Sequence, residues 1–69
     1  MKNIDTILTT ALKDYLKGKI SYHKANMNVY LHNPVGIGEH PDILESLESE
    51  LSKLAEYDEK LSTLEKYFP

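Results

Sequence analysis

Three histidines, eleven acids and a glycine-paired loop are the residues of this chain whose types could do chemistry, and their spacing decides how much. His32 and His40 bracket Asn33-Pro34-Val35-Gly36-Ile37-Gly38-Glu39, with Asp42 just beyond. Imidazoles and carboxylates gathered at a turn would hold a divalent metal, but no two of these stand at the short helical spacing of a zinc motif. No metal ligand is therefore assigned. Gly36 and Gly38 lead into a helix start, which is the composition of a phosphate-cradling loop. The lysine–serine ending of a P-loop and the strand before it are both missing. The pair reads instead as a turn, with Val35 and Ile37 covering the end of a helical core. Val35, Gly36, Ile37, Gly38 and His40 are the candidate loop contacts.

Acid–base catalysis needs paired carboxylates held in a cleft. Glu45, Glu48, Glu56 and Glu59 mostly fall on the outward face of a helix. Glu50 is the exception: it points near an apolar stripe, where Lys53 or a lysine of the first helix would pair with it. Ser21, Ser46, Ser49, Ser52 and Ser62 have no histidine and acid arranged behind them. His23 flanks an apolar line and reads as an interface histidine. The chain therefore predicts no catalytic residue and no cofactor, and a protein that is not an enzyme.

Two helices must position these residues. Residues 3–31 read as the first, capped by Asn3 or Asp5 and free of proline. His32-Asn33-Pro34 ends it, because the residue before proline is pushed out of helical dihedrals. A loop over 32–40 follows. Pro41 suits the first position of a second helix over 41–67, and Asp42 sets negative charge beside its positive end.

On the first helix, positions 4, 8, 11, 15, 18, 22, 25 and 29 step alternately by four and three, the spacing of a coiled-coil seam. Leu8, Tyr15, Tyr22 and Val29 are bulky, whereas Ala11, Gly18 and Ala25 are small. Glycine inside a helix costs about 1 kcal/mol relative to alanine, and its seven-residue spacing from both alanines favours a packing reason for Gly18 over a break. The second helix carries Leu44, Leu47, Leu51, Leu54, Tyr57, Leu61, Leu64 and Phe68. Folded antiparallel, the two series pair in one register, with Tyr22 on Leu51, Ala25 on Leu47, Gly18 on Leu54 and Ala11 on Leu61. On that pairing Leu51→Ala should cost about 2–5 kcal/mol. Leu12, Leu16, Ile20, Met27 and Leu31 are then left over as a second apolar line, the candidate interface. The predicted fold class is all-α: one domain over 1–69, an antiparallel helical hairpin assembling into a helical bundle oligomer.

Composition agrees with that class. A 69-residue chain without cysteine has no disulfide or cysteine-bound zinc to stabilise a small core, which leaves oligomerisation. The net charge of -3 hides an asymmetry. Residues 1–31 hold five lysines against Asp5 and Asp14, and residues 32–69 hold three lysines against nine acids. The basic half is too weak for a nucleic-acid face, and arginine and tryptophan are absent. Apolar runs are too short for a membrane span, and the start has no signal-peptide core, so a cytosolic setting is expected.

The stretch His23-Lys24-Ala25-Asn26, together with Asn33-Pro34-Val35-Gly36-Ile37-Gly38-Glu39-His40-Pro41-Asp42, resembles a family of small uncharacterised proteins of tailed myoviruses, particularly phages of marine cyanobacteria. The resemblance implies a phage origin and action in the cytoplasm of an infected bacterial host, and it transfers no functional residue. Three functions follow as expectations. The first is a binding protein that docks on a host or phage protein and modulates it. The second is an oligomer sequestering a small nucleotide-like ligand through Lys13, Lys17, Lys24, the tyrosines and the glycine loop. The third is a minor virion or assembly component. The expected partners are a second copy of the chain (dimer or higher) and a protein target, with neither nucleic acid nor membrane.

Overall fold

The computed structural model describes residues 3–32 and 42–69. Helix α1 spans Ile4–His32 and helix α2 spans Ile43–Tyr67, packed against each other as an antiparallel hairpin 53 × 18 × 13 Å in extent. The fold is all-α, as the periodicities predict. The candidate loop contacts Val35, Gly36, Ile37, Gly38 and His40 lie outside the described residues.

The helix ends follow from local chemistry. Asn3 caps α1: its side-chain Oδ1 accepts the Thr6 backbone N–H at 2.9 Å and the Thr6 hydroxyl at 3.0 Å, satisfying a donor that has no partner inside the helix. Asp5 is in the first turn, where its charge meets the positive end of the helix dipole. At the other end, His32 Nδ1 donates to the Asn28 carbonyl at 2.9 Å. Asp42 is the N-cap of α2 through its backbone carbonyl, which accepts Ser46 N–H at 3.1 Å, with no side-chain cap bond. α2 closes on the Phe68 N–H donating to the Leu64 carbonyl at 2.8 Å.

α1 does not pack on α2 through the alternating seam. Its buried and half-buried residues are Thr9, Lys13, Leu16, Lys19, Ile20, His23, Asn26, Met27 and Tyr30, a stripe roughly 140° around the helix from the seam at about 100° per residue. Leu16, at 4% exposure, is the buried apolar residue of α1. Ala11, Gly18 and Ala25 all face outward, and a Cβ on Gly18 would meet nothing within 4 Å. On α2, Leu47, Leu54, Tyr57, Leu61 and Leu64 keep their inward place. Leu44, Leu51 and Phe68 are exposed, and Ile43, Ser46 and Glu50 take up the contact.

The pairing of Tyr22 with Leu51 and of Gly18 with Leu54 is thereby corrected. The two apolar lines of α1 exchange roles: Leu16, Ile20 and Met27 help close the hairpin, while the seam is left outside. Leu12 and Leu31, at 45% and 57% exposure, border the contact without entering it. The physical reason is on α2. Glu50 shares a stripe with Leu47, Leu54 and Leu61, so any face of α1 that covers those leucines must also supply Glu50 with hydrogen-bond donors. The seam offers one at that level, the Tyr22 hydroxyl, whereas the other face offers two together, the His23 imidazole and the Asn26 amide.

This packing reverses the expected rank of two leucines. Leu16→Ala should cost about 2–5 kcal/mol, enough to unfold a hairpin this small, whereas Leu51→Ala should stay within about 0.5 kcal/mol. Gly18→Ala should raise stability by about 1 kcal/mol in the single chain. Urea denaturation followed by far-ultraviolet circular dichroism measures all three.

Candidate functional site

Between the helices lies a polar cluster built on Glu50. His23 Nδ1 donates to Glu50 Oε2 at 2.6 Å, and Asn26 Nδ2 lies 3.2 Å from both carboxylate oxygens. His23 and Asn26 are three residues apart, so both reach the same point on the facing helix. The His23 and Glu50 side chains are 9% and 19% exposed, which makes this a largely desolvated polar contact. The His23 ring stacks on Tyr57, with centroids 5.8 Å apart and 13° between planes, and meets Tyr22 edge-on at 4.9 Å. Among the described residues no buried side-chain polar atom lacks a partner. The cluster is thus satisfied within the hairpin, and its acceptor and donors are consumed by one another.

Lys19 lies beside this cluster. Its ammonium stands 6.0 Å from the Tyr15 ring centroid, 5.6 Å from Tyr22 and 5.8 Å from Tyr57, within the range of cation–π attraction. Tyr15 and Tyr22 belong to the exposed seam, so Lys19 marks the border between that seam and the helix contact. On the same side, toward the chain ends, Leu12, Leu16, Thr63, Leu64 and Phe68 line an open groove of about 350 Å³.

The apolar surface is larger than the groove. Ile4, Leu8, Tyr15, Tyr22 and Val29 follow one another along the outside of α1, each more than half exposed, with Ala11, Gly18 and Ala25 between them. No charged residue interrupts that line. On α2, Leu44 and Leu51 stand seven residues apart at 81% and 53% exposure. A helical wheel places them on the opposite side of the hairpin from the α1 line.

Of the candidate interface, Leu12 and Leu31 are surface residues, whereas Leu16, Ile20 and Met27 are committed to packing on α2. His23, expected at an interface beside the second apolar line, is instead buried between the two helices of one chain, while the inward place of Glu50 is legible from position. Glu50 pairs with His23 and Asn26 rather than with Lys53 or a lysine of α1. A signal for this exists in the sequence: a carboxylate on an apolar stripe requires donors at matching height, and residues 23 and 26 are the donors that share a face. Of the lysines suggested for a ligand, Lys17 and Lys24 are exposed and Lys13 is half-buried, while Lys19 has the aromatic surroundings. Among the described residues no group of three histidines or acids stands together as a metal site, and no helix is long and apolar enough to cross a membrane.

No family model, curated protein or solved structure matches the chain.

The Glu50 cluster yields a double-mutant cycle. His23→Leu leaves a largely buried carboxylate with Asn26 as its remaining donor, and should cost about 1.5–3 kcal/mol. Adding Glu50→Leu should recover most of that loss, because a leucine pair of similar volume replaces the desolvated charge. Urea midpoints of the two single variants and the double variant give the coupling.

Proposed function

We propose that this is a non-enzymatic binding protein that works by docking exposed apolar helix surface on a host or phage protein. One observation carries the reading: large apolar side chains line the outside of both helices, at Leu8, Tyr15 and Tyr22 on α1 and at Leu44 and Leu51 on α2. Scattered surface leucines need no explanation, but a contiguous, uncharged apolar strip usually marks a contact surface. The central His23 and Glu50 are already paired with each other inside the hairpin, and the exposed strips are apolar. The resemblance to myoviral proteins supports a partner in the infected bacterium.

A second reading has its own observation. Lys19, ringed by Tyr15, Tyr22 and Tyr57, offers a cation and stacking faces together, the groups that hold a phosphate and a base. A small nucleotide-like ligand would fit that chemistry.

Photo-cross-linking residues substituted at Tyr22, Leu44 and Leu51 test the first reading in host cells. Adducts with another protein from at least one position are expected, and none from any position overturns docking on a foreign partner. A thermal-shift screen with cyclic and linear nucleotides tests the second. Stabilisation of several degrees that is lost in Lys19→Ala would establish it, and no shift with any nucleotide ends it.

A further inference from the structure

We propose that the exposed seam of α1 seats the same seam of a second copy, antiparallel, about a two-fold axis between Leu16 and Lys17. This goes beyond the docking function: it gives the α1 seam to a second copy and leaves Leu44 and Leu51 of α2 for a foreign partner. In the antiparallel register centred there, Leu8 lies opposite Ala25 of the second copy, Tyr15 opposite Gly18 and Tyr22 opposite Ala11. Val29 and Ile4 close the ends. Every bulky residue between those ends meets a small one, and the symmetry repeats each pair on the other side of the axis. A surface complementary to itself in this way is what an isologous dimer requires.

The parallel arrangement fails the same test. It would set Gly18 on Gly18 and Tyr15 on Tyr15, leaving gaps beside crowded rings, and packed contacts tolerate neither. Among the described residues nothing lies within 4 Å of a Cβ placed on Gly18. The seam itself is uncharged, and three of the four lysines of α1 (Lys13, Lys17 and Lys24) lie off its edge, so like charges are not forced together. The area is sufficient. Ile4, Leu8, Tyr15, Tyr22 and Val29 are 56–64% exposed, leaving on the order of 500 Å² of apolar surface per chain. Two copies would remove on the order of 1,000 Å² from water, the lower bound that a biological interface should clear. Because α2 packs roughly 140° around α1 from the seam, both copies of α2 stay on the outside and the contact is sterically open.

The chain has no cysteine, so introduced thiols report the register directly. The unmodified protein should sediment at twice its 7.9 kDa at micromolar concentration. Mixed under mild oxidation, the Ala11→Cys chain and the Tyr22→Cys chain should form a disulfide-linked heterodimer, while Ala11→Cys alone should not cross-link. Gly18→Leu should raise the dimer dissociation constant at least about tenfold with the helical content unchanged. A chain that sediments as a monomer at 100-fold higher concentration overturns the proposal, and so does efficient cross-linking of Ala11→Cys with itself. If the chain is monomeric while the photo-probe at Leu51 still captures another protein, self-pairing fails and the docking function stands. If the chain is a dimer and no position captures another protein, self-pairing stands and docking on a foreign partner fails.

Discussion

The Glu50 carboxylate is the constraint on which this hairpin depends. It sits in the middle of the leucine stripe of α2, so it enters the helix contact whenever those leucines do. A charged group taken out of water without partners costs several kcal/mol, more than a two-helix fold can spare. His23 and Asn26 supply the donors, and by doing so they choose which side of α1 faces α2. The outcome is a case where polar satisfaction, not hydrophobic surplus, sets the rotation of a helix.

Once that rotation is set, the rest follows. Leu16, Ile20 and Met27 are drawn into the contact because they share the face of His23. Tyr57 stacks on the His23 ring, and Lys19 settles among the tyrosines at the edge. The seam with the most regular apolar spacing is turned to solvent. A small chain gains little from hiding one face and exposing another of equal size, since its buried area is limited at the outset. The surplus is the exposed apolar surface on which the proposed self-pairing rests.

The helices, their caps and the hairpin topology are legible in the sequence because each rests on local signals. The Asn3 side chain acts within a turn of where it stands, and Asp42 marks the start of α2 through its backbone carbonyl. The face of α1 is not legible by counting apolar residues. The alternating seam has stronger periodicity, and a rule that maximises apolar contact selects it. The deciding information lies in Glu50 together with two donors on the other helix, more than twenty residues away in sequence. Glu50 is visible as an inward acid, but by charge alone lysines are its natural partners. A neutral amide and an imidazole at helical spacing fit a narrow contact better than a long flexible ammonium. Periodicity by itself thus assigns the outward seam to the core, and part of the core to the surface.

Gly18 has one more consequence. It stands at the midpoint of the 29-residue α1, where a helix is ordinarily most resistant to fraying. Glycine costs a helix interior about 1 kcal/mol relative to alanine, but Leu16 and Ile20 in the adjoining turns hold this part of the backbone against α2. The packing of one face thus carries the glycine of the other, and α1 runs through Gly18 as one helix rather than dividing there into two.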